Sequence, residues 1–152
     1  MAKFRLIETH VIKIKDGNIL HLALKRSEKV KYPGIWQPIT GHVEENEKAF
    51  ETAVREIKEE INFLPKSIYS IPLVNSFYHP QTDSVWQIPV FLCVVPNEFE
   101  PEISSEHSEY LWGDAEKVKR LYAWPGQRKS VDLIEEYFGS DKSFLHFLEI
   151  KI

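Results

Sequence analysis

Apolar residues near the start of the chain fall in two runs, FRLIETHVIKI (4 to 14) and ILHLALK (19 to 25), split by KDGN. Runs this rich in β-branched and aliphatic side chains predict strands. The Asp16-Gly17 pair supplies a tight turn that folds them back as an antiparallel hairpin. Residues 26 to 41 are punctuated by Pro33, Gly34, Pro38 and Gly41 and predict loop with a short strand. The period then changes: Phe50, Ala53, Val54, Ile57 and Ile61 recur at three- and four-residue spacing, so the glutamate-rich segment 41 to 61 reads as the first clear helix. IPLVNSFY (71 to 78) and VWQIPVFLCVV (85 to 95) predict further strands, with Pro89 requiring a bulge or a sheet edge. After the acidic loop PNEFEPEISSEHSE comes YLWG, a short strand. DAEKVKRLY (114 to 122) then reads as a helix with Asp114 as its N-cap, and GQRKSVDLIEEYF (126 to 138) as a longer amphipathic helix. The tail FLHFLEIKI suits helix or strand equally. The sum is an α/β (α+β) fold with a mixed sheet between helices.

Composition narrows the class. The 152 residues, 43% hydrophobic and 12% aromatic, suit one domain spanning 1–152 with a substantial core. A formal charge of -4 and a pI near 5.9 offer no basic field for duplex nucleic acid or an anionic membrane, so neither is expected as a partner. The opening MAKFRLIETH lacks the charged-then-apolar order of a secretory signal, and no apolar run approaches the roughly 20 residues of a membrane span. The single cysteine, Cys93, lies inside VFLCVV. It reads as a buried strand residue in a cytoplasmic protein rather than a nucleophile.

The helix poses an electrostatic question. GHVEENEKAFETAVREIKEEI carries seven glutamates, the last three spaced i, i+3, i+4. At 100° per residue, Glu60 falls about 40° to one side of Glu56 and Glu59 about 60° to the other, so all three share a ~100° arc beside the apolar stripe. Like charges at this spacing cost a few tenths of a kcal/mol per pair when exposed, and more where burial lowers the dielectric. Hard divalent cations such as Mg²⁺ or Mn²⁺ favour such clustered carboxylates. The plainer reading is a solvated face relieved by i, i+4 pairs of Arg55 with Glu51 and Glu59.

The wider spacing decides between them. Gly41, five residues, Glu47, seven residues, then Arg55-Glu56-Ile57-Lys58-Glu59-Glu60-Ile61-Asn62-Phe63 resembles the Nudix box, the loop-helix-loop signature of the Nudix hydrolase family. Only the closing glycine departs, replaced by Asn62, the commonest substitute where a helix ends in a left-handed residue. The resemblance implies a mixed sheet sandwiched between helices and cleavage of a nucleoside diphosphate linked to another group with Mg²⁺ or Mn²⁺. It also implies Glu56 and Glu60 as principal ligands, Glu59 as an auxiliary one, Arg55 as the residue orienting the carboxylates, the Gly41 carbonyl as a further donor and Glu47 as a brace.

A second, looser likeness runs through IWQPITGHVEENE, SEHSEYLWGDAEKVKRL and WPGQRKSVDLIEEYF, which are similar to segments of bacterial dihydroneopterin triphosphate pyrophosphatases, also described as dATP pyrophosphohydrolases. It implies cleavage between the α and β phosphates and a further metal ligand or base at Glu106. Holding a triphosphate against a net negative surface requires local cations, and Lys25, Arg26 and Arg128 are candidates. Trp36, Phe77, Tyr78 and Trp86 offer faces for a ring, and Gln37 a hydrogen bond to its edge. His79 and His107 read as ordinary loop histidines. The expected partner is a small nucleoside or pterin polyphosphate, acted on by a monomer or homodimer. A Nudix enzyme for a dinucleoside polyphosphate, nucleotide sugar or oxidised nucleotide is the alternative, followed by a non-catalytic nucleotide-binding module.

Overall fold

The computed structural model describes residues 4–139 and 142–152. Strands β1 (Leu6–Lys15) and β2 (Asn18–Arg26) pair antiparallel, Ile14 opposite Ile19, around a turn in which Asp16 and Gly17 both take positive φ, 52° and 78°. That mirror-image turn matches the twist of the flanking strands. There follow β3 (Trp36–Gln37), β4 (Ile39–His42), α1 (Ala49–Ile61), β5 (Ser67–His79), β6 (Ser84–Val94), β7 (His107–Gly113), α2 (Ala115–Leu121) and α3 (Pro125–Gly139). The tail is both things its pattern allowed: a 3₁₀ helix, Lys142–Leu148, then β8 (Glu149–Lys151) paired with β5. The glutamate-rich segment is helical only from Ala49; its first part, Gly41 and His42, ends β4, and a loop follows.

The sheet runs β3-β2-β1-β6-β5-β8, with β4 added to β1 and β7 to β2. It is mixed because β1 pairs parallel with β6 and antiparallel with β2 and β4. Pro89 sits where its missing N–H demands: just past the β5 bulge between Ile71 and Val74, on the part of β6 that precedes its pairing with β1.

Alternation along the strands sorts the core into two layers. Ile7, Val11, Leu22, Leu24, Phe91 and Cys93 pack against Ala53, Ile57 and Ile61 of α1. On the other face Ile12, Val90 and Leu92 meet Ile134 and Phe138 of α3, while Ala23 meets Val118 and Val131. The expected sandwich of a mixed sheet between helices is the observed one. Cys93 is a buried free thiol, pushed up to about 12 by burial. Among the described residues no helix is long and apolar enough to cross a membrane.

Candidate active site

The loop after β4 is tied to the start of α1 by carboxylates. Glu51 accepts the Lys48 amide at 3.0 Å, and Glu47 accepts the Glu44 amide at 3.0 Å and the Thr52 hydroxyl at 2.6 Å. The first of these bonds caps the amide of the N-cap residue Lys48, and the other two, through Glu47, tie the loop before the helix to α1. At the other end Asn62 adopts φ 57° and ψ 46° and donates its backbone N–H to Lys58. The residue that departs from the signature therefore takes the left-handed conformation a glycine would take.

Burial on α1 is selective. Glu56 and Glu60 are 9% and 4% exposed and belong to its inward face, whereas Glu59 is exposed. Arg55 answers their charge. Its Nε and Nη2 grip Glu47 at 2.8 and 3.0 Å, Nη1 donates to Glu56 at 2.9 Å and Glu59 at 3.4 Å, and Nη2 also reaches the His42 carbonyl at 2.9 Å. The two-pronged grip fixes the guanidinium plane. Hydrogen bonding from Arg55 holds Glu47 down at about 2, whereas burial, with the charges of Glu59 and Glu60, pushes Glu56 up to about 7. Arg55 thus offsets Glu56 only in part.

A second strand of chain closes the site. Ser104 donates its backbone N–H to the Glu60 carbonyl at 3.2 Å and its hydroxyl to Glu60 Oε2 at 2.8 Å. His107 Nδ1 lies 2.7 Å from the same oxygen. Burial acts to raise Glu60, but His107 and Ser104 outweigh it and hold the carboxyl below its ordinary value. Glu106 is brought beside Glu60, and burial and the Glu60 charge raise it.

These groups fit a hard divalent cation. The donors are carboxylates, the positive charge around Glu56 and Glu106 falls short, and Gly41 leaves room where a Cβ would stand 2.4 to 2.6 Å from Cγ, Cδ and Oε1 of Glu56. Among the described residues no three acidic, histidine or cysteine side chains already converge on one point. Glu56 and Glu59 turn to Arg55 instead, and Glu60 to Ser104 and His107. Cation binding is thus expected to displace a proton. Because Glu56 holds its proton to about 7 rather than the ordinary 4.5, its ionisation lowers folded stability as pH rises across that window, and a cation removes the cost. Mn²⁺ titrated calorimetrically in buffers of different ionisation enthalpy should release about one proton at pH 6 and little at pH 8. Equal release at both would contradict the assignment of Glu56.

The remaining predicted residues are scattered. Arg26 lies close enough to Glu106 for its charge to oppose, without overcoming, that rise, and it pairs with His107 across the β2–β7 ladder. Lys25 is engaged with Glu109 at 2.9 Å, and Arg128 donates to the carbonyls of Tyr122 and Ala123. Trp36 packs against Ala23, Val118 and Tyr122, while Gln37 is buried with its amide on Thr40. Trp86 stacks on His79 at 4.1 Å and lies under Arg5 at 5.3 Å, lining an open cleft with Phe4, His42 and Val43 beside Gly41. Phe77 and Tyr78 are exposed. Sequence reasoning did not find Thr52, Ser104 or the His42 carbonyl, and it passed over His107. Thr52 lies one turn before Glu56 on α1, a spacing that could have signalled it; Ser104, His107 and the His42 carbonyl lie off the helix, with no such spacing to point to them.

A model of the NUDIX domain matches residues 8–134. Dihydroneopterin triphosphate diphosphatase of Haemophilus influenzae is 30% identical over 123 residues, covering 73% of this chain and 75% of that one. The E. coli dihydroneopterin triphosphate pyrophosphohydrolase superposes with a TM-score of 0.71 at 22% identity, over 90% of this chain and 97% of that one. The C. elegans Ap4A hydrolase, in a binary complex, does so with a TM-score of 0.75 at 19% identity, over 90% and 98%.

Proposed function

The chain belongs to the Nudix family and is a hydrolase acting on phosphoanhydrides; on that premise we propose that it cuts a nucleoside or pterin triphosphate of the dATP or dihydroneopterin triphosphate type between the α and β phosphates, giving the monophosphate and pyrophosphate. The observation that carries the chemistry is the meeting of Glu60 with Glu106 across 46 residues of chain, beside the Arg55-bound Glu56. The 30% identity to a dihydroneopterin triphosphate diphosphatase supports the substrate class.

Glu56, Glu59, Glu60, Glu106 and the Gly41 carbonyl are the groups that would hold Mg²⁺ or Mn²⁺, which when bound neutralises phosphate oxygens and activates water. The chain's own residues do the positioning. Arg55, clamped on Glu47, sets the angle of Glu56 and Glu59. Glu106, raised by burial and by Glu60, is a stronger base than an ordinary carboxylate and takes the proton of the attacking water. Arg26 beside Glu106 offers a cation to the phosphates, and the cleft at Trp86 and His42 offers an aromatic surface to the ring.

The test is a product panel. Incubation with Mg²⁺ and dATP or dihydroneopterin triphosphate is expected to give pyrophosphate, seen by ³¹P NMR, with no orthophosphate until inorganic pyrophosphatase is added. A second reading, a dinucleoside polyphosphate substrate, draws on the fold shared with the C. elegans Ap4A hydrolase. ATP and AMP from Ap4A, with both triphosphates left intact, would replace the first reading by the second.

A further inference from the structure

A single bulge decides where His107 points. The β2–β7 ladder steps from Lys25 opposite Glu109 to Arg26 opposite His107, leaving Ser108 as an extra residue. Side chains in a regular strand alternate, so with Ser108 in the ladder and no bulge His107 would share the face of Glu109 and Leu111, away from α1. The bulge turns it onto the face of Tyr110 and Trp112, the layer in which Leu22 and Leu24 pack on α1. There the ring is 6% exposed, and its Nδ1 stands 2.7 Å from Glu60 Oε2.

We propose that His107 is a positioning residue for hydrolysis: together with Ser104 it pins Oε2 of Glu60, so that Oε1 remains the oxygen offered to the cation. The inference rests on Glu60 being a metal ligand. A packing role explains the ring less well, because burying an imidazole without aligned partners is costly and an apolar side chain would fill the space at no such cost. Among the described residues neither ring nitrogen has an aligned hydrogen-bond partner, and the approach to Glu60 is the interaction the ring does make. The Ser104 hydroxyl, donating at 2.8 Å, and His107 Nδ1, standing at 2.7 Å, converge on one carboxylate oxygen, the placement that outer partners of metal ligands take.

The test compares wild type, His107→Leu and His107→Asn, the last restoring a nitrogen near the place of Nδ1. Free Mn²⁺ is followed by electron paramagnetic resonance without substrate, and the Mg²⁺ activation constant and substrate KM are measured separately. His107→Leu is expected to weaken Mn²⁺ binding by about 10- to 100-fold and to raise the Mg²⁺ requirement, with KM at saturating Mg²⁺ unchanged. His107→Asn should recover most of the loss. Wild-type affinity in His107→Leu, or equal losses in Leu and Asn, would overturn the proposal. If His107→Leu does not fold, the smaller His107→Val takes its place under the same criteria. A wild type that binds no Mn²⁺ would sink the metal-site reading itself, whereas equal binding by wild type and variants sinks only the role of His107.

Discussion

Glu60→Gln is expected to lower turnover on the order of a thousandfold or more while lowering the melting temperature of the metal-free protein only modestly. The activity loss follows from replacing an anionic donor by a neutral one: charge stabilisation by a catalytic cation is worth several kcal/mol, and each ~1.4 kcal/mol is tenfold in rate. The stability loss should stay small because the glutamine oxygen still accepts from Ser104, and the falling repulsion among Glu56, Glu59, Glu60 and Glu106 offsets part of what the ionised carboxylate, held below its ordinary value in the fold, contributes at neutral pH. The pairing of effects matters more than either alone. Loss of activity together with a large drop in melting temperature would assign Glu60 to the fold rather than to the chemistry, and near-normal turnover would remove it from the site.

Gly41→Ala is expected to cost about 100-fold in turnover through a single methyl group. The added carbon would stand 2.4 Å from Glu56 Cγ, 2.5 Å from Cδ and 2.6 Å from Oε1. Ordinary side chains escape such crowding by rotating, but Glu56 is 9% exposed and its Oε1 is held by Arg55 at 2.9 Å, so relief has to move the carboxylate itself. Displacing a catalytic group by about 1 Å is enough for an effect of that size. Overpacking should also cost about 1–3 kcal/mol of stability. Mn²⁺ affinity, initial rate and thermal unfolding measured on one preparation separate the two losses. A variant within a few-fold of wild type in rate would mean that Glu56 does not need its observed placement.

The sequence made local features legible and left distant ones hidden. Asp16-Gly17, the Asp114 cap and the inward faces of α1 and α3 each follow from short-range rules, and each stands in the structure as expected, Asp114 accepting from Lys117 at 2.9 Å. Boundaries that depend on pairing partners moved: β5 begins at Ser67 and β7 at His107, because β8 and β2 extend the ladders beyond what propensity alone supports. In the site, the helical spacing of Glu56, Glu59 and Glu60 was readable. The inward turn of His107 was not, because it depends on one extra residue in a ladder formed with a strand some 80 residues earlier. Likewise no local pattern tells that Ser104 lands on the last turn of α1. The three carboxylates also part company more than an ideal helix wheel suggests, since Arg55 and His107 draw them toward different partners.

Cys93 lends the protein to spectroscopy. With its thiol sealed between the layers and pushed up to about 12, it is expected to ignore maleimide and iodoacetamide at neutral pH while the fold holds. One cysteine introduced at exposed Ser105 would then be the sole labelling site, and a spin or fluorescent reporter there could follow the loop carrying Ser104 and Glu106 as substrate arrives, without first removing the native thiol.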